Sequence, residues 1–300
     1  MNKNHITTLL LAATLTISAI TPSANAQVSE AKAPASVVKA EGATYATEVD
    51  LPYYEGSAAE KADDYQLSQC RLDIYYPNNR PGFATVIWLH GGGLTGGKRS
   101  WPAGLQGKEI AIVSPSYRLS PLVHHDAILG DAAAATAWTL RHIAERGGDP
   151  TKVFLAGHSA GGYLAAMVGM EPRWLAEHGF SPRQLAGLIP VSAQVTTHFT
   201  VKKLRGDTGP EYRAIIDDYA PLYHASADIP PICLIVGDRR IEYKNRVEEN
   251  DLFAVSLRNL GHTAVEFHEM GGLDHGGVRV GSWLLVPGFI KRTVSTVLSP

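Results

Sequence analysis

Lys152-Val153-Phe154-Leu155-Ala156-Gly157-His158-Ser159-Ala160-Gly161-Gly162-Tyr163-Leu164-Ala165-Ala166-Met167 is the stretch that decides how this chain is read. Its first five residues form an apolar run with β-branched and aromatic members, which suits a buried strand. Gly157 to Gly161 then makes a Gly-x-Ser-x-Gly turn, and the residues beyond it are apolar with helical character. A serine on so tight a strand-to-helix turn presents its hydroxyl, and small neighbours let other groups approach. The five-residue pattern is common by itself. Its place between a strand and a helix makes Ser159 a candidate nucleophile.

Phe83-Ala84-Thr85-Val86-Ile87-Trp88-Leu89 reads as a second buried strand, and it runs into His90-Gly91-Gly92-Gly93. Consecutive glycines are entropically costly, since each loses more backbone freedom on folding than any other residue. They make sense where backbone N–H groups must face a cavity with no side chain in the way. Those groups, with the N–H of Ala160, are placed to bind the oxyanion of an acyl-transfer intermediate.

With these two motifs in this order, the chain resembles the α/β-hydrolase fold. The similarity is to the branch with a His-Gly-Gly-Gly motif: hormone-sensitive-lipase-like carboxylesterases and bacterial feruloyl and acetyl-xylan esterase-like enzymes. The resemblance extends over about residues 68 to 298. Leu72-Asp73-Ile74-Tyr75-Tyr76-Pro77 is similar to the family's second strand, and Ser114 to Pro121 to the segment after its fourth. Asp131 to Trp138 and Gly147-Gly148-Asp149-Pro150 are similar to the helix and turn before the serine. The resemblance implies a mostly parallel central sheet with helices on both faces and a small lid insertion. It also implies a serine esterase that needs neither organic cofactor nor metal. Gly92, Gly93 and Ala160 are then the oxyanion donors, and Tyr117 and Arg118 brace the serine turn.

The alternation of elements agrees with that sheet. Strands are expected at Cys70–Tyr76, Phe83–Leu89, Glu109–Val113, Lys152–Ala156, Leu185–Val191, Ile232–Val236 and Ala264–Met270. Helices are expected at about Asp126–Glu145, Ala160–Met170, Arg246–Asn259 and Trp283–Val297. In such sheets the ligand site lies beyond the C-terminal strand ends. The stretch from about 192 to 230 is long, mixed and rich in turn formers. It reads as a small lid, with a packed surface excursion as the other reading.

A serine needs a base within hydrogen-bond reach, and in this fold the chain order is serine, acid, histidine. His275 stands after the last strand, between glycines, and is the expected base. His262 and His268 read as a helix-end and a sheet-face residue. The acid is expected about three residues past Gly237, but Arg240 occupies that slot. Glu242 is two residues late with a longer side chain, and Asp238 is the alternative. Asp274 reads as a turn residue, and Glu248 and Glu249 as acids at a helix N-terminus. His124 and His125 lack cysteine or acidic partners at metal-ligand spacing.

The chain has 300 residues with 27 basic and 29 acidic, a formal charge of −2. Lys3, the apolar uncharged run Ile6 to Ile20 and Ala24-Asn25-Ala26 have the form of an export signal cleaved after residue 26. Its loss removes one more positive charge. A mildly acidic product argues against nucleic acid or an anionic membrane as partner. Residues 27–44 read as a flexible lead-in, and 45–300 as one large α/β domain. Cys70 and Cys233 are too few for a disulfide framework and fall in separate expected strands. The function expected is that of a secreted or periplasmic carboxylesterase. It takes short acyl esters, acetyl or feruloyl among them, of small molecules or saccharides. An amidase or formamidase with the same residues, and a non-catalytic binding protein, are the rival readings.

Overall fold

Phe83–Leu89 forms strand β3 of a computed structural model that describes residues 42–297, and every residue of this strand is buried. The expected export signal, and the lead-in up to residue 41, lie outside the described residues. Total burial follows from the strand's position. β3 lies between Ala111–Pro115 (β4) and Gly148–His158 (β5), parallel to both. Parallel strands covered on both faces carry near-continuous apolar sequence. Gly187–Val191 (β6), Ile232–Gly237 (β7) and Val265–Met270 (β8) continue the parallel order. At the other side Tyr45–Pro52 (β1) and Arg71–Pro77 (β2) run antiparallel, so the order is β1-β2-β4-β3-β5-β6-β7-β8.

Side chains along β3 alternate between two apolar layers, as the period of two requires. Ile87 and Leu89 face a layer built from His125–His142 (α3), Ala160–Met170 (α4) and Arg246–Asn259 (α7). Val86 and Trp88 face the other layer, closed by His275–Gly281 (α8) and Val286–Val297 (α9). Every residue of α4 is buried, so this helix is the centre of its layer. The short helices Gly56–Glu60 (α1), Asp64–Gln69 (α2), Pro172–Ala176 (α5) and Phe199–Leu204 (α6) lie in the connections.

The β3–β5 register pairs Leu89 with Gly157, and the β7–β8 register pairs Gly237 with Met270. The C-terminal ends of these strands therefore reach one edge of the sheet. His90, Ser159 and the loops after Gly237 and Met270 all leave from that edge.

The structure shifts some expected boundaries. β4 starts at Ala111 because Glu109 sits at φ 58°, a turn conformation no strand accepts, and the strand runs on to Pro115. The last helix starts at Val286, after a tight turn over Ser282–Leu284, rather than at Trp283. β1 and α8 were not expected. Cys70 and Cys233 are both buried and free. Among the described residues no helix is long and apolar enough to cross a membrane.

The excursion expected as a lid at about 192–230 starts as a packed wall. Residues 192–198 are buried. Glu249 anchors them by accepting the backbone N–H groups of Val195 and Thr196 and the Thr196 hydroxyl. Glu249 thus does more than favour the N-terminal dipole of α7. Phe199 opens a short helix whose Thr200 hydroxyl donates to the Gly93 carbonyl.

Candidate active site

Ser159 sits at φ 56°, ψ −117°, between β5 and α4. A non-glycine residue in that region is strained, and the surrounding structure must hold it there. The neighbouring glycines explain how the turn closes. A Cβ on Gly161 would stand 2.1 Å from the Leu89 carbonyl oxygen, and one on Gly157 would stand 2.4 Å from that of Gly161. Only hydrogen fits at either place, so the motif reflects backbone packing of the turn against the end of β3.

The expected base and acid meet this serine. The Ser159 hydroxyl donates to His275 Nε2 at 2.9 Å, and His275 Nδ1–H donates to Glu242 Oε1 at 2.7 Å. Of the two acids open from sequence, the structure brings Glu242 to His275. The chain makes a helical turn after β7, in which the N–H of Glu242 donates to the Asp238 carbonyl at 2.8 Å. That turn absorbs the two extra residues. Asp238 is engaged elsewhere: it accepts from Gly272 N–H at 2.7 Å and from Arg240 Nε at 2.9 Å. The Arg240 guanidinium and these backbone donors hold its carboxyl well below the usual range. Asp238 ties the loops after β7 and β8 together, and of the two carboxylates it is Glu242 that is hydrogen-bonded to His275. Arg240, in the slot where an acid was expected, serves the same clasp.

The Glu242 side chain is 1% exposed. Burial alone raises a carboxyl pKa, but donors outnumber that penalty here. Oε1 also accepts Tyr243 N–H at 2.7 Å, and Oε2 accepts Gly237 N–H at 2.8 Å and the Ser192 hydroxyl. With His275 they hold Glu242 down at about 2, fully ionised at neutral pH. The carboxylate therefore fixes the imidazole tautomer, with Nδ1 protonated and Nε2 free to accept from Ser159.

His275 is not on a free glycine loop, as expected, but is the first residue of α8. Asp274 caps that helix by accepting Gly277 N–H at 2.7 Å, so the expected turn residue is an N-cap. His158 Nε2 lies 2.7 Å from the His275 carbonyl oxygen and braces the base from behind. Its burial and the adjacent His275 push its pKa down to about 4, so it stays neutral at pH 7.

The glycine run faces the same cavity of about 480 Å³, which His90, Gly91, Gly92, Gly93, Ser159, Phe199, Tyr243 and His275 border. Among the described residues neither Gly92 N–H nor Gly93 N–H has an acceptor. Ala160 N–H belongs to the first turn of α4, where helical N–H groups lack intrahelical partners. Gly92 sits at φ 124°, and a Cβ there would stand 2.2 Å from the Gly96 carbonyl oxygen. Tyr117 braces this run rather than the serine turn: its hydroxyl donates to the His90 carbonyl at 2.6 Å and its ring stacks on the His90 ring. Arg118 pairs instead with Asp131, away from the serine.

The remaining candidates lie outside this cluster. His262 bridges Pro230 and Ala264, and His268 contacts Glu266. His124, His125 and Asp126 bring ligand-type atoms within 4.8 Å of one another, an acidic partner overlooked in the sequence. Asp126 already accepts from the Tyr219 hydroxyl at 2.6 Å. Sequence reasoning also missed Ser192 and His158. Ser192 carries no motif signal, and His158 stands where the turn pattern tolerates any residue.

Comparison with known proteins places this geometry in context. The family described as alpha/beta hydrolase fold matches residues 86–278. A probable isoprenylcysteine alpha-carbonyl methylesterase of Arabidopsis thaliana is 33% identical over 228 residues. That match covers 65% of this chain and 46% of the relative. The chain spans less than half the length of the first curated relatives it matches. Among solved structures, a truncated carbohydrate esterase from gut microbiota aligns with TM-score 0.64 at 17% identity, over 83% of this chain and 96% of that one. A Thermogutta terrifontis esterase aligns with TM-score 0.61 at 22% identity, over 84% and 93%. At these identities the solved structures establish a shared fold.

Proposed function

The chain belongs to the alpha/beta hydrolase fold family, and from that premise we propose that it is a serine carboxylesterase acting on short-chain acyl esters. One observation carries the reading: Ser159, His275 and Glu242 form a continuous hydrogen-bonded relay at 2.9 and 2.7 Å, beside backbone N–H groups without acceptors. Ser159 Oγ attacks the ester carbonyl while His275 Nε2 takes its proton. The negative oxygen is held by the N–H groups of Gly92, Gly93 and Ala160. Collapse breaks the bond to the alcohol, which leaves with the proton from His275. Water, deprotonated by the same imidazole, then attacks the acyl-enzyme and releases the acid. Glu242 stays ionised throughout and stabilises the imidazolium.

A short acyl group is supported by the modest cavity and by the Thermogutta terrifontis neighbour, whose structure holds butyrate. A saccharide alcohol is suggested by the carbohydrate esterase neighbour. The Lys3 to Ala26 segment supports a secreted or periplasmic location. The test is a panel of 4-nitrophenyl acyl esters, acetylated and feruloylated oligosaccharides, and matching anilides and formamides. Turnover of esters, abolished in Ser159→Ala, is the expected result. Faster cleavage of the amides would instead make the protein an amidase, and turnover of nothing would make it a binding protein.

A further inference from the structure

The charged side chains that border the catalytic cavity are Lys98, Arg246 and Arg279, and no carboxylate is among its bordering residues. Lys98 and Arg279 are exposed at the rim, and among the described residues neither has an acidic partner. Arg246 differs from them. It is the first residue of α7, a turn beyond Glu242, and is 3% exposed. A guanidinium offers five donors in a fixed fork. Here one NH2 reaches Gln194 Oε1 at 3.4 Å, Glu249 Oε2 lies 3.8 Å from the other nitrogen, and the buried Nε has no partner. Glu249 is committed to the backbone of Val195 and Thr196. Burial disfavours the Arg246 charge, as it does any buried ion without full pairing.

A buried, under-bonded guanidinium at the wall of a cavity, with two further cations at its rim, is arranged for an anion. We propose that the ester substrate carries a carboxylate, which Arg246 binds as the reacting carbonyl sits at Ser159. Planar bidentate recognition of carboxylate is the use for which arginine geometry is suited. Lys98 and Arg279 attract the anion to the mouth and speed its capture. This rests on the carboxylesterase reading and names its substrate class. The carboxylate sits on the acyl side or on the alcohol side, and the two sources are separable by experiment.

Two matched pairs test it with the full chain. Mono(4-nitrophenyl) glutarate against 4-nitrophenyl butyrate places the charge on the acyl group. 4-Acetoxybenzoate against 4-acetoxybenzamide places it on the alcohol. In at least one pair the anionic ester should win by about tenfold or more in kcat/KM at low salt, an advantage that falls at about 0.5 M salt. Arg246→Met should bring that ratio close to one, chiefly through KM. Because this buried variant can fail to fold, Lys98→Ala/Arg279→Ala on the rim is measured too and should weaken the salt dependence. Equal or better turnover of the neutral partner in both pairs overturns the proposal while leaving the esterase reading intact. If no ester is cleaved, the esterase reading fails instead. Calorimetry of glutarate against glutaramide and benzoate against benzamide then decides the site. About tenfold tighter binding of an anion supports it, and equal binding refutes it.

Discussion

Replacing Glu242 by glutamine keeps the shape of the acid and removes its charge, and the structure sets the size of the effect. The carboxylate oxygen is 2.7 Å from His275 Nδ1. When His275 takes the Ser159 proton, opposite unit charges face each other with centres roughly 4 Å apart. At an effective dielectric of about 20 that attraction is about 4 kcal/mol. Lost from the transition state alone, it lowers kcat by about three powers of ten, with little change in KM. Glutamine also brings a second cost. Each carboxylate oxygen accepts a backbone N–H, Tyr243 on one and Gly237 on the other. The amide NH2 must therefore face a backbone donor in either orientation, which costs about 1–3 kcal/mol of stability. Steady-state kinetics on a short 4-nitrophenyl ester, with thermal unfolding of each variant, separates the two effects. The same group shapes the acid limb of stability. Its folded pKa of about 2 lies below its ordinary value of 4.5, so its contribution is complete above 4.5 and is lost as pH falls toward 2. Between those values Tm should fall more steeply in wild type than in Glu242→Gln. If Glu242→Gln keeps kcat within about tenfold while Asp238→Asn cripples it, the assignment of the acid is refuted. If neither matters, Ser159 and His275 act as a pair without an acid.

Ser159→Ala should cost about four to six powers of ten in kcat with the fold retained, and an organophosphonate should label Ser159 alone by mass spectrometry. Acetyl and butyryl esters should be cleaved better than octanoyl or longer ones; a higher kcat/KM on a dodecanoyl ester would reverse the proposed pocket size. Gly161→Ala should unfold the protein or abolish expression, because its Cβ would stand 2.1 Å from the Leu89 carbonyl oxygen and backbone has no room to yield. A Gly161→Ala protein with wild-type Tm would refute the packing account of the motif.

The buried part of the sheet was legible because burial on both faces leaves continuous apolar sequence. Phe83–Leu89 was placed to the residue, as was the helix Ala160–Met170. Edges were less legible. β1 carries Thr47, Glu48 and Asp50 and is mostly half-exposed or exposed, so no apolar run marks it. α8 reads His275-Gly276-Gly277-Val278-Arg279-Val280-Gly281, whose glycines disfavour a helix. It forms because Asp274 caps it and Val278 is buried beneath. Tertiary packing decided both, and a local pattern does not record it.

The site divides along the same line. Ser159 and the glycine run announce themselves because each needs unusual backbone, and unusual backbone needs glycine at fixed spacing, whereas His275, the first residue of a helix, was found from its place after the last strand. Glu242 was reachable only by asking which carboxylate a late loop could deliver. The decisive fact was the helical turn after Gly237, closed by the Asp238 carbonyl and secured by the Asp238–Arg240–Gly272 clasp. That clasp explains why an arginine occupies the slot where an acid was sought: with Asp238 and Arg240 holding the loop ends together, Glu242 comes one turn after Asp238, two residues past that slot, where it gains backbone donors. Ser192 reaches the Glu242 carboxylate and His158 the backbone carbonyl of His275 through single hydrogen bonds, and Arg246 borders the same cavity. None of these imposes a spacing rule, so each becomes visible only when the strands bring distant loops to one edge.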